Sequence, residues 1–179
     1  MANRNKEKGK SWERDTCKIM EKYFGGSWIR TWGSGNYVGG ANVVRMDKLS
    51  EGQIHNNKGD IVPPDDFDIV VECKSYKEFP FNTLLGDGCA LLNGWIDQVE
   101  TDIFNDEEFY FITFKINNKV SYIVVNTKFL PYGLKTSKNF SMYNFKGKVY
   151  LITDFIPFLE ENVEVIKKLC IKNLDSSED

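Results

Sequence analysis

Residues 58–77, KGDIVPPDDFDIVVECKSYK, decide the fold that the rest of this chain is built around. The stretch reads as two strands separated by an acidic turn, because prolines and aspartates occupy residues 63–66. Side chains alternate between the two faces of a strand, so Glu72 and Lys74 share one face of the second strand. The residues predicted to lie on its opposite, core-facing side are Ile69, Val71 and Cys73.

The carboxylate predicted to face Glu72 is Asp60, because a hairpin folded about Asp66 places the two residues directly opposite each other. Opposed residues on neighbouring strands have Cβ atoms about 5 Å apart. Asp68 shares the face of Glu72, but four residues at ~3.3 Å each separate the two by about 13 Å, which is too far to share an ion. Asp60 and Glu72 are therefore the predicted ligands of a divalent cation, and Mg²⁺ suits carboxylate oxygens. Lys74 beside the ion can contact a phosphate or assist the attacking water.

An exposed strand face that happens to carry charges is the alternative interpretation, because Glu-x-Lys alone is a common pattern. The combination is more specific. Gly-Asp lies on one predicted strand, an acidic turn follows, and an apolar strand then ends in Glu-x-Lys. This combination favours a functional site over a solvated face.

The segments Gly59-Asp60-Ile-Val and Val-Val-Glu72-Cys73-Lys74-Ser resemble the PD-(D/E)XK nuclease superfamily. Within that superfamily the chain is most similar to archaeal-type Holliday junction resolvases, which also occur in phages. The resemblance implies a single α/β domain with a central mixed sheet flanked by helices, like the core of restriction endonucleases. It also implies a two-fold homodimer and a site that uses Mg²⁺, for which Mn²⁺ can substitute. The segment before Gly59 is longer than this pattern leads us to expect.

The resemblance assigns further residues to the site. The backbone carbonyl of Cys73 joins Asp60 and Glu72 as a metal ligand, and Glu13, in Ser-Trp-Glu13-Arg-Asp, helps to hold the metal through water. The alternative for Glu13 is a favourable interaction with the dipole of its own helix.

Five residues are candidates for contacts with the DNA backbone. Their polar or basic side chains suit phosphate, but a capped turn equally explains Ser34, and exposed strand ends need no function. The candidates are Lys10, Arg30, Ser34, Ser75 and Lys77.

The composition of the 179 residues, with 41% hydrophobic and 27% charged residues, favours one globular domain. We predict a basic flexible arm at 1–10, the nuclease domain at 11–174 and an acidic frayed tail at 175–179. Hydrophobic periodicity predicts the elements of that domain. They are helices at 11–24, at 89–104 and from about 154, and strands at 27–32, 109–116, 120–126 and 149–153.

Two regions of this domain stay open between a functional and a structural interpretation. Residues 127–146 are irregular, basic and aromatic, and either line a DNA surface or pack into the core. Gln98, on the helix after the motif, is assigned to a solvated helix face, although some relatives place a glutamine near the active site.

Several other classes of protein are disfavoured by residue counts. The four cysteines are scattered without a Cys-x-x-Cys pair, which disfavours a zinc site or a disulfide framework. His55 is the only histidine, so nucleases that use a histidine pair and His-ligated zinc enzymes are excluded. We expect neither a signal peptide nor a membrane span, and we expect the protein in the cytoplasm, or in that of the host if a phage encodes it.

The motif residues predict a metal-dependent site that acts on phosphate, and the resemblance implies a Mg²⁺-dependent, structure-selective DNA endonuclease that resolves four-way junctions by paired nicks. Two alternatives stay open. One is another PD-(D/E)XK endonuclease of the restriction or repair type, which acts on duplex DNA. The other is a DNA-binding module on this scaffold without catalysis.

Overall fold

A five-stranded mixed sheet forms the centre of the protein, with strand order β3-β4-β5-β7-β6. β3 and β4 are parallel, and the other neighbouring pairs are antiparallel. The computed structural model describes residues 2–31, 58–86, 88–103, 107–117 and 120–171. The strands of the sheet are β3 (Ile69–Tyr76), β4 (Phe109–Ile116), β5 (Ser121–Asn126), β6 (Phe140–Phe145) and β7 (Lys148–Asp154).

Helices cover both faces of this sheet. They are α1 (Ala2–Phe24), α2 (Ala90–Asp102) and α3 (Phe155–Cys170). On β4 the ring of Phe114 lies 5.4 Å from Trp95 of α2, whereas the next side chain, Lys115, reaches α1. Since neighbouring strand residues point to opposite faces, α1 and α2 lie on opposite sides of the sheet. α3 shares the side of α1, because Phe155 contacts Trp12. The predicted α/β fold with a mixed sheet between helices is confirmed.

The chain crosses from β3 to β4 through α2, as two parallel neighbours require. Ile103, directly after this helix, is half-buried, whereas the other four apolar residues that helical spacing predicts on the inner face are buried. They are Leu92, Trp95, Ile96 and Val99. This βαβ unit fixes α2 against the strand that carries Glu72 and Lys74.

A second, two-stranded sheet pairs β1 (Ile29–Arg30) with β2 (Ile61–Val62). The chain turns at Asp65 and Asp66, as predicted, but β2 is not the ladder partner of β3 that the predicted hairpin required. β2 pairs with β1 instead, and the backbone N–H of Asp60 donates to Val71 at 2.9 Å. The hairpin prediction was therefore wrong in its pairing, because β2 finds its partner in a strand much earlier in the chain.

Two further boundaries differ from the prediction. The first helix begins at Ala2 rather than at residue 11, so the segment predicted as a flexible arm continues the helix. Its charged residues carry no apolar periodicity and gave no helical signal. Residues 140–145 form β6, although the region was predicted to be irregular, because within this edge strand only Tyr143 is buried.

The predicted tail at 175–179 and the Gly-rich loop that contains Ser34 lie outside the described residues, as does His55. Among the helices that the structure describes, none is long and apolar enough to cross a membrane.

Candidate active site

Asp60 is held against β3 at both its backbone and its side chain. Its N–H donates to the Val71 carbonyl, and its Oδ2 accepts a hydrogen bond from the N–H of Cys73 at 2.9 Å. Gly59 makes this approach possible. A Cβ atom at that position would stand 2.7 Å from the Val71 carbonyl oxygen, and its φ of +59° favours glycine. The predicted closeness of Asp60 and Glu72 therefore arises from a tight backbone approach.

Glu72, Lys74 and Gln98 form a closed triangle of hydrogen bonds between β3 and α2. The Lys74 Nζ donates to Glu72 Oε1 at 2.5 Å and to Gln98 Oε1 at 2.7 Å. Gln98 Nε2 donates to the same Glu72 oxygen at 2.7 Å. The assignment of Gln98 to a solvated helix face was therefore wrong. It follows Trp95 by three residues, and that spacing places both on the buried face of the helix.

The charge balance at Glu72 is unfavourable in the protein alone. Burial raises the pKa of Glu72 to about 8, the Asp60 carboxylate adds to this rise, and Lys74 opposes it. Only 1% of Glu72 is exposed, so water solvates its charge poorly. Lys74 therefore supplies less positive charge than the carboxylates of Asp60 and Glu72 need when both are ionised.

Asp102, the last residue of α2, is a third carboxylate at the site that our sequence reasoning missed. Its side chain accepts a hydrogen bond from the Gly59 N–H. Burial raises the pKa of Asp102, Asp60 adds to the rise, and Lys58 opposes it. The signal was present in the sequence, because Asp102 follows Gln98 by four residues and so shares its helix face.

The donor set of Asp60 and Glu72 fits a hard divalent cation that retains part of its water shell. Two buried carboxylates close enough to repel each other are stabilised by such an ion. Within the described residues, no three His, Cys, Asp or Glu side chains are grouped so as to enclose a metal. Mg²⁺ commonly takes its other ligands from backbone carbonyls, water or phosphate.

Glu13 and Arg30 form an ion pair between α1 and β1. Burial raises the pKa of the Cys73 thiol well above its usual value, and the carboxylates of Asp60 and Glu13 contribute. Glu13 therefore lies beside the motif strand. Arg30 is committed to this carboxylate, so the two side chains that the resemblance gave separate roles contact each other.

The remaining candidates for DNA contacts are more dispersed. Ser75 lies in a cleft with Lys115 and residues of α1, on the face of the sheet opposite Glu72 and Lys74. Lys10 on α1 and Lys77 after β3 are exposed. The structure does not bring these residues together with the carboxylates.

Comparison with known proteins places the chain in a family. The family described as "Phage putative PDDEXK endonuclease" matches residues 4–172. The chain belongs to this family. It is thus a nuclease of the PD-(D/E)XK type, a class that uses divalent metal ions, and an endonuclease family of this kind implies a DNA substrate. No curated protein and no solved structure matched the chain.

Proposed function

We propose that this family member is a Mg²⁺-dependent, structure-selective DNA endonuclease in which Asp60, Glu72 and Lys74 perform phosphodiester hydrolysis. The observation that carries the proposal is the buried triangle of Glu72, Lys74 and Gln98 beside the clamped carboxylate of Asp60. A buried, like-charged carboxylate pair with one lysine lacks a counterion, and a nuclease of this type uses a divalent one.

In this proposal Asp60, Glu72 and the carbonyl of Cys73 hold the ion. A Mg²⁺ ion held by these residues would supply Lewis-acid chemistry: a lower pKa for the attacking water and stabilisation of charge on the phosphate. Lys74 presents its ammonium to the phosphate that is cut or to the attacking water, and Gln98 fixes the lysine by accepting one of its hydrogen bonds. Asp60 needs no movement to take part, because its Oδ2 is already held by the backbone of Cys73.

We further propose that the preferred substrate is a four-way DNA junction that a homodimer cuts by paired nicks. Symmetric cutting requires two active sites at a fixed separation, and a two-fold dimer supplies them. The proposal extends the expectation drawn from the sequence motif, and its structural support is that Glu13 and Arg30 form an ion pair on the elements beside that motif.

The test is incubation of the protein with end-labelled four-way junction, fork, flap and linear duplex, in Mg²⁺, in Mn²⁺ and in EDTA. We expect metal-dependent cleavage with paired nicks in the junction, and loss of cleavage with retained binding in Glu72→Ala. Full activity in that variant contradicts the site assignment.

The same assay separates the proposal from its rivals. Equal cutting of linear duplex favours a restriction- or repair-type enzyme. DNA binding without cleavage in either metal favours a module without catalysis.

A further inference from the structure

The face of β3 that carries the candidate site continues beyond Lys74 to an aromatic ring. Glu72, Lys74 and Tyr76 are every second residue of β3 and therefore lie on one face of the strand. Contacts with α2 show that the side chains of Lys74 and Tyr76 point to the same side. Lys74 contacts Gln98, and the Tyr76 ring lies 5.2 Å from Trp95 of the same helix. Tyr76 therefore stands two residues, or about 7 Å along the strand, beyond the lysine.

Tyr76 and Phe81 form what we call the aromatic shelf, because both rings are partly exposed and rest on buried rings. Each has 39% of its surface exposed, while Phe79 and Trp95 beneath them are buried. Phe79 lies 4.8 Å from Phe81 and 5.6 Å from Trp95, so the two exposed rings share one support. A ring with a fixed orientation loses little conformational freedom when a flat ligand stacks on it.

The charges around the shelf suit a nucleic acid strand. Lys74 precedes Tyr76 on the same face. Lys77, 84% exposed at its side chain, follows Tyr76 directly and pairs with Glu78 at 3.8 Å. This ion pair is exposed and therefore weak, so a phosphate can displace Glu78 from Lys77. Proteins that bind single strands combine cations that follow the backbone with rings that stack on the bases. An exposed aromatic residue alone is unremarkable. Tyr132, for example, is 66% exposed but lies near Glu107, at the start of β4, away from the end of β3.

We propose that the aromatic shelf stacks an unpaired base of the strand whose phosphate is cut at Asp60 and Glu72. This inference rests on the proposed nuclease function and narrows its substrate. Forks, flaps and single-stranded extensions offer unpaired bases, whereas a fully paired duplex keeps its bases inside the helix. The shelf then favours branched DNA that has unpaired nucleotides, and a four-way junction engages it where base pairs open at the point of strand exchange.

The test measures binding in a Glu72→Ala background, so that cleavage does not remove the substrate. Fluorescence anisotropy compares a labelled duplex with a short single-stranded extension against a blunt duplex of the same length. We expect Tyr76→Leu to weaken binding of the extended duplex by about 5- to 150-fold, because a stacked base contributes about 1–3 kcal/mol. Binding of the blunt duplex should change by less than about twofold.

Two variants separate stacking from packing against Trp95. Tyr76→Phe keeps the ring and should keep the preference for the extended duplex, whereas Tyr76→Leu keeps apolar bulk but removes the aromatic face. Tyr132→Leu is the matched control and should leave both affinities unchanged. Thermal unfolding of each variant checks that the fold is intact.

The outcomes distinguish failure of this inference from failure of the proposed function. If the wild-type protein cuts no DNA in Mg²⁺ or Mn²⁺, the proposed function fails. If it cuts DNA but Tyr76→Leu weakens both substrates equally or neither, the shelf has no role in base recognition. A Tyr76→Phe variant as defective as Tyr76→Leu likewise overturns stacking.

Discussion

Two carboxylates on the two sides of the interface between α2 and the sheet have opposite surroundings. Glu100, on α2, is satisfied by three donors at one oxygen: Tyr110 at 2.9 Å, Tyr150 at 2.6 Å and Lys148 at 2.8 Å. Burial alone would raise the pKa of Glu100, but the hydrogen bonds from Lys148 and the two tyrosines outweigh it and lower the pKa. This carboxylate joins α2 to β4 and β7.

Glu72, on β3, is buried more deeply with less compensation. It accepts hydrogen bonds from Lys74 and Gln98, but the Asp60 carboxylate lies close by, and its pKa is raised rather than lowered. Glu100 and Glu72 thus represent two kinds of buried carboxylate. A buried carboxylate whose negative charge is fully balanced by hydrogen-bond donors, like Glu100, has a structural role. A buried carboxylate whose negative charge is only partly balanced, like Glu72, is a candidate ligand for an external cation.

Replacing Glu72 and Glu100, one at a time, with glutamine should affect the rate of DNA cleavage very differently. We expect Glu72→Gln to lower the rate of DNA cleavage by at least about 10³-fold, because the amide cannot supply the charge that holds the ion. Single-turnover cleavage at saturating Mg²⁺ measures the effect.

Glu100→Gln is the matched control. It removes a charge that three donors share and should lower the free energy of unfolding by about 1–3 kcal/mol, measured by urea titration. Cleavage per folded molecule should stay within about threefold of wild type. Equal losses of cleavage in the two variants would show that both carboxylates act through the position of α2.

The second prediction concerns stability and pH in the metal-free protein. The pKa of Glu72 is about 8 in the folded state against 4.5 for an unperturbed glutamate. Between these values the folded protein holds a proton that the unfolded chain has lost, so stability falls as pH rises from about 4.5 to about 8. Glu72→Gln lacks this loss, so its stability should exceed that of the wild type increasingly as the pH rises towards 8.

Melting temperatures of both proteins from pH 5 to pH 9, in EDTA, measure this difference. A constant difference across the range would contradict the charge deficit. Adding Mg²⁺ at pH 8 should raise the melting temperature of the wild type and leave that of Glu72→Gln nearly unchanged.

The sequence predicts an element or a contact well when the residues that determine it are close together in the chain. β4 was predicted with its observed bounds because its run of aromatic and aliphatic residues is interrupted only by Thr113 and Lys115 and lies in the buried sheet. The pairing of β2 with β1 was missed because it joins residues about thirty positions apart, and strands of two residues carry no pattern that identifies a distant partner.

The residues of the candidate site also differ in whether a local sequence pattern predicts them. Alternation along one strand sufficed to place Glu72 and Lys74 together, and spacing around the turn suggested Asp60. Gln98 and Asp102 reach the site only because α2 crosses back over β3, a tertiary arrangement that helix spacing alone does not reveal. Their shared helix face was visible, but the identity of the surface opposite them was not.

The third prediction tests whether Gln98 works with the candidate site or merely packs α2. Gln98→Ala should lower the cleavage rate by about 10- to 100-fold, because Lys74 and Glu72 both lose the partner that orients them. DNA binding should stay close to that of the wild type.

Asn93→Ala is the control on the same helix. Asn93 accepts a hydrogen bond from Tyr143 of β6 at 2.5 Å, outside the candidate site. This variant should lose stability but keep its cleavage rate. A Gln98→Ala variant that loses only stability would place Gln98 with Asn93 as a structural residue.

The smallest effect is expected for substitutions of Asp102, whose carboxylate shares some features with Glu100 and others with Glu72. It accepts the Gly59 N–H, as a structural group would, yet Asp60 and burial raise its pKa as at the candidate site. Asp102→Asn keeps an acceptor for Gly59 but removes the negative charge, so Mg²⁺ affinity should fall by about two- to tenfold. Isothermal titration measures this, with Asp97→Asn as the control, since Asp97 of the same helix pairs with Lys146 at the surface. If Asp102→Asn matches the wild type while Asp102→Ala loses affinity, the hydrogen bond to Gly59 matters and the charge does not, which would place Asp102 with Glu100 rather than with Glu72.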